Sequence, residues 1–169
     1  MNRSQIIAII ILIAVLTACG YRFAEQEGFP GGTRRLFVNV FQNRTQETGV
    51  ENIITAALLS ELTLRKTDEL VSSMDHADVA LSGVVEEVAV GTIARKKDTA
   101  SERRVTVTVS VKLAKPEGDV VWATKGFSDN EGYRVDDNPE RTDQNRRVAI
   151  GLLSRRIAEK IVNRLSDNF

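Results

Sequence analysis

The side chains in this sequence that could do chemistry fall into four small groups. Cys19 is the only cysteine and stands immediately after an apolar run. His76 is the only histidine, and the stretch Asp75-His76-Ala77-Asp78 sets it among carboxylates, a grouping open to metal ligation or acid–base work. Glu86-Glu87 places two carboxylates side by side. Arg95-Lys96-Lys97 and Arg103-Arg104 bring five cations into one stretch, against only Asp98 and Glu102.

Most of this chemistry does not survive a look at spacing. Adjacent residues of a strand point to opposite faces, so Glu86 and Glu87 cannot share a site without a bulge. One imidazole and one thiol are too few for a transition-metal site, and the His76 segment reads as a turn with a solvated histidine at a strand entry. There is no glycine-rich phosphate loop and no nucleophile motif. The reading is of a protein that is not an enzyme, with no metal and no cofactor. The 23 basic and 23 acidic residues cancel, which argues against a nucleic-acid partner, since neutralising phosphates needs a basic excess. Arg95, Lys96, Lys97, Arg103 and Arg104 keep two readings. One is a patch for anionic phosphates or carboxylates at the end of a hairpin, and the other is a solvated loop.

Cys19 belongs to an address. Arg3 supplies a positive start, Ile6 to Leu16 are uninterruptedly apolar, and Leu16-Thr17-Ala18-Cys19 follows. The run is short for a membrane span, which needs about 20 residues, and the layout is that of a secretory signal peptide. The last four residues resemble a bacterial lipobox. That resemblance implies cleavage before Cys19, a thioether-linked diacylglycerol on its sulfur, and acylation (commonly by palmitate) of the new amine. Several acyl chains hold a protein on a membrane far more firmly than one. Gly20, rather than Asp, after the cysteine points by the enteric rule to the outer membrane. Residues 1–18 are thus expected to be the signal peptide, 19–34 the acylated N-terminus and tether, and 35–169 a single domain, a size that buries an ordinary core.

Within that domain, Arg35 to Phe41 reads as a strand. Thr48-Gly49-Val50-Glu51 has capping-box spacing, and Val50, Ile54, Leu58 and Leu62 then mark a helical face through about Arg65. Val79 to Val90 reads as a strand with a bend or bulge near Gly83-Val84-Val85. In Val105 to Leu113, five apolar residues at odd positions alternate with four polar ones, a strand with one buried face. Pro116 to Asp119 is a turn, and Val120 to Phe127 begins the next antiparallel strand. Asn138-Pro139 opens a long terminal helix with Ile150, Leu153, Ile157, Ile161 and Leu165 inward. Arg146, Arg147, Arg155, Arg156, Lys160 and Arg164 make its solvated face. The expected fold class is α+β, order β-α-β-β-β-α, a four-stranded sheet with two helices packed on one face.

Taken together, these residues resemble the LptE family of outer-membrane lipoproteins of lipopolysaccharide assembly. The matching features are Cys19-Gly20-Tyr21-Arg22-Phe23, Pro30 in the tether, Asn43 and Thr45 after the first strand, and Gly49-Val50-Glu51. Ala77-Asp78 with Leu81 and Gly83, Trp122, and the terminal helix complete the set. The resemblance implies a plug within the LptD β-barrel that assists barrel assembly and binds lipopolysaccharide. It places the protein on the periplasmic side of the outer membrane, held by its acyl chains and within a barrel lumen. A different class stays open: a lipoprotein activator of a periplasmic synthase, or an auxiliary subunit of a lipid or export transporter.

Overall fold

The computed structural model describes residues 33–66, 70–96 and 99–167. The residues expected to form the signal peptide, Cys19 and most of the expected tether lie outside the described residues, as does Lys97.

The elements are β1 (Leu36–Val38), β2 (Gln42–Asn43), α1 (Val50–Lys66), a 3₁₀ turn (Met74–His76), β3 (Val79–Lys96), β4 (Thr99–Ala114), β5 (Val120–Arg134) and α2 (Pro139–Asp167). The order is the expected one. In the sheet, β1-β3-β4-β5 lie side by side, with β2 also on β3. β1 and β2 run parallel to β3, while β3, β4 and β5 form an antiparallel meander.

Both helices cover one face. Val50, Ile54, Leu58 and Leu62 of α1 are completely buried. They meet Val105, Val107, Val109, Val111 and Leu113 of β4 and Ile150, Leu153, Ile157, Ile161 and Leu165 of α2 in a single core. Burying each such side chain contributes about 1.5–3 kcal/mol. The alternation of β4 leaves Thr106, Thr108, Ser110 and Lys112 on the opposite, open face of the sheet.

Several expectations are corrected. The first strand breaks after Val38, because the Phe41 amide donates to Thr55 Oγ1 of α1 at 3.0 Å instead of to the sheet, and pairing resumes only at Gln42. The sheet therefore has a fifth, two-residue strand. Gly83 is not a bulge. It keeps regular pairing with Val111, and its missing side chain makes room for the Phe41 ring, which a Cβ there would meet at 2.2 Å. The irregularity comes later, between Val85 and Glu87, with further shifts between Thr92 and Arg95. The capping box does not form either. Gly49, at φ 87, occupies the cap, and its carbonyl accepts from the amides of Asn52 and Ile53. The Glu51 carboxylate turns to the Asn43 side-chain amide at 2.8 Å. Asn138 does cap α2, its Oδ1 accepting from the Glu140 amide at 2.8 Å.

The basic side of α2 is only partly solvated. Arg155 is exposed, and among the described residues Arg147 pairs with Asp143, on its own helix. Arg146, however, pairs with Glu47 ahead of α1, and Arg156 with Asp129 and Glu131 of β5 at 3.3 and 2.6 Å. Lys160 also reaches Asp129, at 2.9 Å, and the Arg164 guanidinium lies 4.8 Å from the centre of the Phe127 ring. These cations face the helix side of β5, where carboxylates stand at alternate positions between Phe127 and Tyr133.

Asp78, one of the carboxylates near His76, has a structural task. One oxygen accepts from the backbone amides of Arg34 and Arg35, and the other from the Arg35 guanidinium at 2.6 Å, tying β1 to the start of β3. The side-chain hydrogen bond from Arg35, with its backbone amide next, lowers the Asp78 carboxyl from its usual range to about 2. A folded-state value below the unfolded one stabilises above about pH 4, and the contribution disappears as pH falls toward about 2. Solvent reaches both partners, so Asp78→Asn is expected to cost only about 1 kcal/mol. Urea denaturation at neutral pH and at low pH checks this: the difference between wild type and variant should shrink across that window.

Candidate functional site

The β3–β4 hairpin carries the candidate basic cluster at its far end. Lys96 pairs with Thr99 and Arg95 with Ala100, so the turn comes immediately after Arg95 and Lys96. Arg103 and Arg104 lie farther from the turn, opposite Thr92 and Gly91 on β3 and opposite Tyr133 and Gly132 on β5. The cations share one end of the sheet but not one surface. Arg103 continues the odd, helix-facing register of β4 and lines a hollow with Tyr133, Asp143 and Arg146. Arg104 continues the even register, on the open face with Thr106 and Thr108. Arg95 is exposed. The structure thus brings Arg95, Lys96 and Arg104 to one end of the hairpin and separates Arg103 from them.

His76 is exposed in the 3₁₀ turn. A bulge does fall beside Glu86 and Glu87, yet Glu86 pairs with Arg44 at 3.2 Å and Glu87 is exposed. Among the described residues no group of three His, Cys, Asp or Glu side chains could hold a metal. No helix among them is long and apolar enough to cross a membrane.

What the geometry offers is a surface. The open face of β3, β4 and β5 carries small and hydroxyl-bearing residues, Ala89 and Gly91, Thr106, Thr108 and Ser110, and Ser128, whose hydroxyl lies 3.4 Å from that of Thr108, with the exposed Glu87 opposite Thr108 on β3. Along β4 the stretch from Thr106 to Ser110 covers about 13 Å of a strand about 50 Å long, at roughly 3.3 Å per residue. Toward the other end the open face deepens into a trough bordered by Arg44, Lys112 and Lys125. The sequence reading missed that trough. The even register of β4 points to Lys112, but only the topology brings Arg44 and Lys125 to the same face.

The family model for lipopolysaccharide assembly, LptE, matches residues 33–165. The chain belongs to the LptE family. The LptE match runs from before β1 to the last turn of α2. Among solved structures, rare lipoprotein B from Shewanella oneidensis is similar, with a TM-score of 0.55, 11% identity, and 78% of this chain and 95% of that one covered. Lipoprotein B from Nitrosomonas europaea gives 0.52 and 9%, covering 76% and 82%. A protein from Xanthomonas campestris gives 0.56 and 10%, covering 80% and 85%. At these identities the likenesses show a shared fold. No curated protein matches the chain in sequence. Membership of LptE makes this a lipopolysaccharide-assembly lipoprotein of a non-enzymatic, outer-membrane family.

Proposed function

We propose that the protein is the lipoprotein partner of an LptD-type outer-membrane β-barrel. In this reading it is acylated on Cys19, sits as a plug in the barrel lumen, assists barrel assembly, and binds lipopolysaccharide in transit. The observation that carries it is the LptE match over residues 33–165, downstream of Leu16-Thr17-Ala18-Cys19. The fold supports it: both helices pack on one face of the sheet, and the opposite face, with Thr106, Thr108 and Ser110, is left open for a wall or a ligand. Arg95, Lys96, Lys97 and Arg104 would supply charge-assisted hydrogen bonds to the phosphates of the lipid. Arg103 stands on the other face, in the hollow with Tyr133, apart from this set.

Solubilising native membranes in mild detergent tests the reading. The protein should co-purify with a large outer-membrane β-barrel, and recovery with a peptidoglycan synthase or an inner-membrane transporter would overturn it. Intact-mass analysis of the same material should find Cys19 as an acylated N-terminus. Residues 1–18 still attached, or a free Cys19 thiol, would exclude the anchor. Cys19→Ala should abolish acylation and leave membrane retention dependent on the barrel alone.

A further inference from the structure

The trough at the far end of the open face has a composition unlike the rest of this evenly charged protein. It encloses about 620 Å³ between β2 and β5, and its lining includes Arg44, Lys112 and Lys125 but no carboxylate. Glu86 pairs with Arg44 from outside the lining. Lys112 and Lys125 are exposed and make no ion pair among the described residues. Glu86 offsets Arg44, so Lys112 and Lys125 give the concavity a local positive excess in a chain whose formal net charge is zero. The trough is also apolar. Val84 lies on its floor, while Val40 and Val120, 62% and 57% exposed, stand at its rims. Exposed valines beside unpaired lysines fit neither a purely solvated surface nor a site for a bare ion.

From this combination we infer that the trough is a second lipid site, separate from the hairpin end, for the phosphate headgroup of an anionic amphiphile. The phosphate sits among Lys112, Lys125 and Arg44, and the first segment of its hydrocarbon lies along Val40, Val84 and Val120. Lys112 pairs across the sheet with Ser82, about 45 Å along the strand from the hairpin turn and about 26 Å from Arg104 on the same strand, at roughly 3.3 Å per residue. Ser110 and Thr108 form the floor between them. The inference goes beyond the proposed function, which needs no lipid at this end, and it does not depend on the barrel.

The test uses the mature protein in dodecyl maltoside, titrated with dodecyl phosphate and followed by backbone-amide NMR. Saturable shifts are expected at Ser82, Ser110 and Ala123. Lys112→Gln/Lys125→Gln should weaken binding at least fivefold, and Arg147→Gln/Arg155→Gln, which removes equal charge from α2, should leave it unchanged. Inorganic phosphate should bind at least tenfold more weakly than dodecyl phosphate. Val40→Ser/Val120→Ser should weaken dodecyl phosphate without altering inorganic phosphate, which tests the apolar half independently. Shifts confined to residues 91–104, equal losses in the two charge variants, or no saturable response would overturn the inference. Loss of barrel co-purification with trough binding intact would count against the proposed function alone.

Discussion

Gly83→Ala is expected to destabilise the domain by about 2–3 kcal/mol, the upper end of the usual cost of overpacking. The direction is informative, because Gly is normally the weaker choice inside a strand and replacing it with Ala ordinarily helps by up to about 1 kcal/mol. Here the new methyl would meet Cε2 and Cζ of Phe41 at 2.2 Å. Phe41 is buried in the core cluster, and its amide is held by Thr55, so the ring has no free direction in which to move. Phe41→Leu on its own leaves a cavity and should cost about 2 kcal/mol, below the 3–5 kcal/mol typical of Phe→Ala. The double variant should be more stable than the sum of the two losses by at least about 1 kcal/mol, since the smaller side chain makes room for the methyl. Denaturation midpoints of the four proteins measure this. Strict additivity would mean that the ring is not what requires the glycine.

The second large effect belongs to Asp129, the carboxylate of β5 that holds α2. It accepts from Lys160 at 2.9 Å and from Arg156 at 3.3 Å, and its side chain is only 12% exposed. Burial acts to raise its pKa. The hydrogen bonds from Lys160, the Asn130 amide and Arg156 outweigh burial, and the net direction is down. Its contribution is therefore complete above the usual carboxylate range and is lost as pH falls through the lower folded-state value. Asp129→Asn is expected to cost about 2 kcal/mol at neutral pH, within the range for hydrogen bonds to charged groups. The loss should shrink in acid below the ordinary carboxylate range, where wild type is losing the same interaction. A gap between wild type and variant that stayed constant from pH 7 to acid would show that charge is not what holds the helix. Arg155→Ala, one residue from Arg156 but exposed, should change stability by less than about 0.5 kcal/mol.

These two sites mark where local reading stops. The alternation of Val105 to Leu113 and the four-residue repeat of Val50 to Leu62 each identify their element and its buried face, because periodicity is a property of the chain itself. Asn138-Pro139 identifies a helix start for the same reason, the cap and the bonded amide being two residues apart. Gly83 and Phe41 are far apart in sequence, and a glycine in a strand can mean a bulge or a close approach. Nothing local chooses between them. Likewise Arg156 and Lys160 read as solvated until β5 brings Asp129 and Glu131 beneath them.

The same division runs through the candidate site. By itself, the sequence determined the element order, the core stripes, the family resemblance and the five cations near one hairpin, all carried by neighbours within a few residues. Only the tertiary structure decided that β4 begins before Arg103 and Arg104, so that the two face opposite ways, and that Arg44, Lys112 and Lys125 meet at the other end. Strand register and sheet order place side chains on faces, and both are settled by pairing between distant segments, where a shift of one residue exchanges the faces.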